Sequence, residues 1–439
     1  MTPMANAVSD SLPSKAEQAT KARDPLIAHS GISSPWAHWW VFLVGFAVVT
    51  SRRPDAVLRP QFFAEDAVFW YKGAYELGWR CLLLPFGGYV HTAERLVALF
   101  AQLFPFALAP LIMNLAGIVV LLAPVHLALS PRFASMGGLG WRFLFAAGYL
   151  ALPNTYELFG NTVTIQWHLA LLACLIVIAQ PAGSVRWQVF DIFVLVLLSV
   201  TSPTAFLLLP LAVAMWWWER NRWSACQVAA LVPGSLLQLF LVLFTSHERI
   251  AAPLGATATR FFNILARQMF LSPLLGMNIL ATRISRPWYN LFGMTITLMG
   301  LALMFYAVWK GPLRLKIFIV FGWLIAGVSL AKPLASPDQP QWEVMQYPGI
   351  TCRYWLVPML AFLAVLVWVM RTRRVPVKYA VLIVLLLMPY GIISDWNYPR
   401  YPDLHFQTYA RKFALATPGT TVAIPINPPG WGYLELQKR

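Results

Sequence analysis

The sequence predicts an all-α polytopic membrane protein with roughly eleven transmembrane helices. Three observations lead there. The chain of 439 residues is 59% hydrophobic and only 11% charged, whereas ordinary soluble domains are roughly a quarter charged. Charge-free runs recur at 96–131, 158–185, 192–218, 223–247 and 287–309, each near or above the roughly 20 apolar residues that cross a bilayer. Finally, short connectors alternate in charge. Arg132 and Arg142, Arg186, Arg220 and Arg222, Lys310, Arg314 and Lys316, and Arg371, Arg373, Arg374 and Lys378 form one set, joined only by Glu219. The other set carries Glu157, Glu248, Asp338 and Glu343. The basic set belongs on the cytoplasmic side by the positive-inside tendency. A barrel would instead show alternating segments of about 10 residues.

The elements follow in order. Residues 1–35 are polar, mixed in charge and rich in Ser and Ala, without the apolar core of a signal peptide; they are expected to be a disordered cytoplasmic tail. The membrane domain spans 36–394. Residues 36–51 go out, 51–105 form a long first periplasmic loop with membrane-hugging amphipathic pieces, and 106–129 return. Residues 143–153 go out, 154–162 form an outer loop and 164–180 return. The run 187–218 must leave and come back, as a hairpin broken at Thr201-Ser202-Pro203-Thr204, where proline and hydroxyls end a helix. Residues 225–245 go out, 248–286 form a second large outer loop and 288–309 return. Residues 317–331 go out, 333–353 form a third outer loop, 354–370 return and 379–394 exit. A periplasmic tail, 395–439, contains Thr421-Val422-Ala423-Ile424-Pro425-Ile426-Asn427-Pro428-Pro429-Gly430-Trp431, which is expected to form two short strands around a proline turn as a small outer cap. Against the charge rule, Arg52, Arg53 and Arg59 fall outside, where they flank the acids Asp55, Glu65, Asp66, Glu76 and Glu94.

Several function classes lose support at this level. The net charge of +16 is accounted for by the cytoplasmic connectors, so no nucleic-acid groove is needed. The four cysteines, Cys81, Cys174, Cys226 and Cys352, have no zinc spacing. Cys81 and Cys352 share the outer compartment, which leaves a disulfide open. HExxH, GxxxxGK[ST], DxD and GxSxG are all missing, so zinc hydrolysis and soluble nucleotide-sugar chemistry have no support. No cofactor is required; a divalent cation is admitted, though the missing DxD argues against it.

The chain has 17 acidic residues, and acids near lipid are costly enough to be functional candidates by default. Glu65-Asp66 follows Phe62-Phe63-Ala64 directly after the first apolar segment. A carboxylate there can take the proton of an attacking sugar hydroxyl, or can bridge to Arg52, Arg53 or Arg59 or cap the helix starting near Ala67. Adjacent helical residues point about 100° apart, so one of the pair faces the site; Asp66 is the choice and Glu65 the fallback. Gly87-Gly88-Tyr89-Val90-His91-Thr92-Ala93-Glu94-Arg95 opens a helix leading back to the membrane and offers Tyr89 and His91, or is simply an interfacial helix start. The run 154–168 supplies Glu157, Asn161, Gln166, Trp167 and His168: amides for the edge of a sugar and a ring for its apolar face, or an ordinary polar loop with His168 packed between helices. Arg353 and Tyr354 start a late apolar helix. The guanidinium suits paired donation to a phosphate, or snorkels beside a Tyr/Trp belt. Arg249, Arg260, Arg267, Arg283 and Arg286 add outer positive charge suited to lipid headgroups.

A first helix, an outer loop with an acidic pair, and then Pro85-Phe86-Gly87-Gly88-Tyr89 resemble the integral-membrane GT-C glycosyltransferases. The later runs 104–129, 141–153 and 200–210 are similar to their membrane module, so the likeness of layout covers 36–218; Arg353-Tyr354 and the tail resemble uncharacterised bacterial members. The resemblance implies a GT-C-like fold in a bacterial inner membrane; the alternating basic connectors put the N-terminus on the cytoplasmic side and the C-terminus on the periplasmic side. It implies that a sugar passes, with inversion, from a polyprenyl-phosphate carrier to an envelope glycan or lipid acceptor, with the first-loop acid, Asp66, as base. The expected partners are therefore the polyprenyl-phosphate sugar donor, that acceptor and membrane lipids. Two other classes compete: a transporter or flippase of a lipid-linked glycan, for which only the Ser202-Pro203 break speaks, and a non-catalytic assembly subunit, in which Asp66→Asn is silent.

Overall fold

A computed structural model describes residues 31–32, 34–244, 252–283, 286–371 and 375–439. The expected tail 1–35 falls almost wholly outside the described residues, as do Glu248, Arg249, Arg373 and Arg374. The chain is mostly helical. Among the described residues, seven helices are long and apolar enough to cross a membrane: Phe106–Leu129, Arg222–Phe244, Ala258–Thr282, Asn290–Lys310, Leu313–Ala331, Cys352–Met370 and Pro376–Ser394. Ile165–Ile178 and Thr204–Glu219 are apolar but shorter.

The first apolar helix, α1 (Pro35–Arg52), starts on proline, whose missing N–H costs nothing at a helix start. It carries Trp36, Trp39, Trp40, Leu43 and Val44 on its exposed side, an apolar surface too large for water and suited to lipid. α2 (Ala109–Leu129) packs on α1. α3 (Leu139–Leu150) and α4 (Ile165–Ile178) pack on α2 in turn. α4 is buried along nearly its whole length and forms the middle of the bundle. At Gly117 of α2 the carbonyl of Asn161 occupies the space a Cβ would need, so this glycine sets how closely the 154–164 loop approaches the bundle.

The run 187–218 is two helices, α5 (Val185–Ser199) and α6 (Thr204–Glu219). They part at Thr201-Ser202-Pro203, where the Ser202 hydroxyl accepts from the Thr204 amide and hydroxyl. α7 (Arg222–Phe244) packs on both. α8 (Arg286–Lys310), α9 (Leu313–Ala331) and α10 (Cys352–Met370) complete the second half of the bundle. Phe321, Trp355, Val365 and Leu366 of this half are fully buried.

The expected second outer loop, 248–286, requires correction. Residues 258–282 are a nearly continuous helical segment, with a π-helical stretch at Leu265–Leu271, packed against α8 and α10. Its arginines suggested a loop, but the fold engages Arg260 and Arg267. Arg260 pairs with Glu343 at 2.8 Å, and Arg267 is buried with its guanidinium 5.5 Å from the Tyr347 ring. The segment breaks at Gly276, whose φ of +75° favours glycine. A Cβ there would also fall 2.7 Å from the Asp395 carboxylate.

The tail caps the first loop more intimately than expected. Its strands are β1 (Thr421–Pro425) and β2 (Tyr433–Gln437), antiparallel, with Val422 opposite Leu436 and Ile424 opposite Leu434. The second strand therefore begins beyond Trp431, after the Asn427-Pro428-Pro429-Gly430 turn. Ile424, Leu434 and Leu436 face inward with Phe406 and Phe413 of α11 (Phe406–Leu415). This layer closes a second apolar core shared with Phe62, Trp70 and Tyr71 of the first loop. A carboxylate in that core has no partner to offset its desolvation. Ile424→Asp should destabilise the cap by about 3 kcal/mol, read as a lower unfolding midpoint in detergent and as protease cleavage within 395–439.

Candidate functional site

The acidic motif is set by a local strain. Ala64 has φ +47°, a left-handed conformation in a residue with a Cβ, which costs about 1–2 kcal/mol. The tail holds it there. The Ala64 amide donates to the Asn427 carbonyl at 2.6 Å, and the Asn427 amide donates to the Phe62 carbonyl at 3.1 Å. Asp66 then begins a π-helical turn, Asp66–Tyr71, and the two carboxylates diverge.

This divergence places the two carboxylates in different surroundings. Asp66 is 1% exposed. Its Oδ2 accepts from the Thr162 amide at 3.4 Å, while its Oδ1 is buried without a hydrogen-bond partner. Glu65 is partly exposed and lies within electrostatic reach of Arg353, His91 and Glu157. Burial raises both carboxyls above the ordinary carboxylate range, Asp66 much further; for Glu65 the nearby Arg353 and His91 oppose the rise. Glu65, rather than Asp66, is the acid within electrostatic reach of Arg353 and His91. The expected bridges from this pair to Arg52, Arg53 or Arg59 are not among the ion pairs of the described residues.

Arg353 is the first-turn residue of α10. The residue before it but one, Thr351, is also left-handed, at φ +59°. Its Nη1 donates to Glu157 Oε2 at 3.0 Å and its Nη2 to the Leu334 carbonyl at 3.0 Å. The Arg353 side chain stays 29% exposed and that of Glu157 15%. Tyr354 lies beneath the guanidinium, its ring centroid 4.8 Å from Cζ, and Trp167 meets Tyr354 edge-on at 5.5 Å. Gln166 Nε2 reaches the Tyr89 hydroxyl at 3.5 Å. Tyr89 covers His91 at 4.2 Å, and Trp70 lies on the same imidazole at 4.6 Å. His91 Nε2 is 3.2 Å from the Phe86 carbonyl, and its Nδ1 is 3.8 Å from Glu94 Oε1.

Glu65, Tyr89, His91, Glu157, Gln166, Trp167, Arg353 and Tyr354 are thus linked through contacts or electrostatic reach. Asn161 and His168 do not join them. Asn161 is buried within its own loop, accepting from the Thr164 amide and donating to the Glu157 carbonyl at 2.7 Å. That makes it the brace behind Glu157. His168 sits between the Tyr149 hydroxyl at 2.7 Å and the Leu158 carbonyl at 2.8 Å, a satisfied core histidine. Cys81 and Cys352 are both buried and free, so the disulfide left open by their shared compartment is not formed. Among the described residues no group of His, Cys, Asp and Glu has the geometry of a metal site.

Sequence reasoning missed the supports. Arg52 is fully buried, donating to the Leu150 and Leu152 carbonyls at 2.7 and 2.9 Å and to the Tyr398 hydroxyl. Arg53 lies 4.1 Å over the Tyr401 ring and donates to the Pro399 carbonyl at 3.2 Å. These arginines bind the tail to helix ends. Asp395 accepts from the amides of Asn154, Met277 and Asn278 at 3.0, 2.6 and 3.0 Å. Its isolation just after a long apolar run was the available signal. Asn154, itself left-handed at φ +56°, accepts from the Gly349 amide at 2.6 Å and donates to Gln268 at 3.0 Å. It fastens the loop of Glu157 to the loop that precedes Arg353.

Comparison of the chain with protein-family models, with curated proteins and with solved structures returns no match.

Proposed function

We propose that the chain is a polytopic membrane glycosyltransferase of GT-C type, moving a sugar from a polyprenyl-phosphate carrier to an envelope glycan or lipid at the periplasmic face. The observation that carries this reading is the partly exposed Arg353–Glu157 ion pair beside the rings of Trp167 and Tyr354, with Glu65 within electrostatic reach of Arg353. Attack of a sugar hydroxyl on an anomeric carbon needs a positioned carboxylate to receive the proton. The departing lipid phosphate needs a cation to stabilise its charge rather than a proton donor. Glu65 suits the first task and Arg353 the second, with Glu157 holding the guanidinium in place. Gln166 and Tyr89 offer hydrogen bonds to a sugar edge, and Trp167 or Tyr354 an apolar face. Asp66 becomes a positioning residue that ties the turn to the Thr162 amide.

Three strained backbone positions support the reading. Ala64, Asn154 and Thr351 adopt positive φ beside Glu65, the Glu157 loop and Arg353, and strain of this kind clusters at working sites. Mass spectrometry of envelope glycans tests the proposal, using a deletion strain complemented with wild type or Arg353→Ala. Loss of one sugar from an acceptor that still reaches the outer face supports transfer. Full restoration by Arg353→Ala at normal expression sinks the role of Arg353, and an unmodified glycan accumulating inside the cell points to transport.

A pH profile follows from the position of Glu65. The base must be ionised, and burial raises this carboxyl above its ordinary value of 4.5. The rate should therefore fall as pH drops through an apparent pKa above that value, with the acid limb absent in Glu65→Gln. An acid limb unchanged in that variant would assign it to another group.

A further inference from the structure

A cavity of about 180 Å³ lies at the same end of the bundle as Arg353, and the sugar-transfer reading leaves it unused. Arg260, Asn263 and Arg267 reach it from the helical segment 258–282 and Asn290 from the first turns of α8. Glu343, Gln346 and Tyr347 reach it from the stretch that runs on to α10. Every one of these side chains carries a polar group, in a chain that is 59% hydrophobic, so the cavity suits a hydrophilic ligand and not an acyl chain. The same stretch is tied to the surface around Arg353. Gln268 Nε2 donates to the Met345, Tyr347 and Ile350 carbonyls at 2.8, 2.9 and 3.3 Å, and its Oε1 accepts from Asn154, which holds the loop of Glu157.

The wall is arranged to meet hydroxyls. Asn263 is 4% exposed, and a Cβ at Gly293 of α8 would fall 2.5 Å from its Oδ1, so this glycine lets the helix seat the carboxamide. Asn263 Nδ2 donates to Asn290 Oδ1 at 2.9 Å and to Gln346 Oε1 at 3.2 Å. That turns the donor sides of Asn290 and Gln346 away from Asn263. Arg260 holds Glu343 through Oε2. Among the described residues Asn290 Nδ2 and Glu343 Oε1 make no hydrogen bond, and Gln346 Nε2 makes one, at 3.4 Å to the Glu343 carbonyl. Donors and an acceptor are thus left side by side, and each hydroxyl of a sugar both donates and accepts. Glu343 also sets a carboxylate in the wall, which disfavours a phosphate.

We propose that this cavity is the subsite for an uncharged sugar residue of the acceptor, a neighbour in its chain of the residue that carries the attacking hydroxyl. The acceptor is then a glycan of more than one residue and not a bare lipid. The assignment rests on the sugar-transfer reading, in which the donor sugar and its phosphate occupy the surface of Arg353 and leave the cavity for a further residue of the acceptor. Binding of that residue, away from the reacting atoms, lowers KM without altering the chemical step.

Full-length protein in neutral detergent tests the subsite, with oligosaccharides released by mild acid from the envelope of the deletion strain as probe and native mass spectrometry as readout. Wild type is expected to retain an oligosaccharide adduct that sodium phosphate at the same concentration does not displace. Asn290→Trp fills the cavity from an exposed position and should abolish the adduct. Gln346→Ala removes one carboxamide and should weaken the apparent affinity about threefold to tenfold. In membranes with matched expression, both variants should raise the acceptor KM more than they lower kcat. The unfolding midpoint of each variant establishes that it is folded. A wild type that retains no oligosaccharide, or loses it to phosphate, overturns the subsite. So does a folded Asn290→Trp that keeps the adduct or the wild-type KM; if Arg353→Ala still loses transfer, the sugar-transfer reading then stands without the subsite. Full activity of Arg353→Ala at normal expression overturns that reading instead, and the acceptor role with it.

Discussion

Glu65→Gln should lower sugar transfer by about a hundredfold to ten-thousandfold, the usual contribution of a positioned general base, with the fold unchanged. Glutamine preserves the size of the side chain and its hydrogen-bonding reach but cannot receive a proton. The site stays otherwise intact, because the Glu157–Arg353 pair and the Tyr89–His91 stack do not depend on Glu65. Asp66→Asn is the informative contrast. Asp66 is buried and its carboxyl is pushed far up, so asparagine replaces it while keeping the acceptor for the Thr162 amide. That variant should retain most of the activity. The measurement is the rate of sugar incorporation in membranes carrying each variant at matched levels.

Asp395→Ala should be the most damaging single change to stability, at about 3–5 kcal/mol. The carboxylate satisfies three amides from two separate segments, Asn154 on one side and Met277 and Asn278 on the other. Truncation leaves the buried Asn154 N–H and the part-buried Met277 and Asn278 N–H groups without this acceptor, and the loss of a charged acceptor is larger than that of a neutral one. It also removes the group that fits the backbone at Gly276. Because Asn154 in turn holds the loop before Arg353, the variant should lose activity in proportion to its lost fold. Thermal unfolding in detergent reads the first effect. Asp395→Asn, which keeps one acceptor oxygen, should recover part of it.

How far the sequence could be read depended on the range of the interaction. Helical character and apolar helices long enough to span a membrane followed from composition and charge-free runs. The Thr201-Ser202-Pro203 break was equally local, because proline and hydroxyls act on their own backbone. The segment 258–282 was misread because Arg260, Arg267 and Arg283 look like loop charges until Glu343 and Tyr347 meet the first two. Those partners are some 80 positions away in the chain. The choice between Glu65 and Asp66 turns on a contact that is equally distant in the chain. Adjacency indicated that one of the pair faces the site, but the phase is fixed by the left-handed turn at Ala64, which the tail stabilises through Asn427. No local pattern encodes that contact. His168 and Asn161 looked like ligands because a polar residue beside an apolar run has the same sequence appearance whether it faces a ligand or satisfies a neighbouring carbonyl.

The central claim is that Glu65, and not its neighbour, is the base of a sugar transfer. Its most direct test is mass spectrometry of envelope glycans from a deletion strain carrying wild type, Glu65→Gln or Asp66→Asn at equal membrane levels. The account predicts that wild type and Asp66→Asn restore the modified glycan and that Glu65→Gln leaves the acceptor unmodified on the outer face. Full restoration by Glu65→Gln would contradict it.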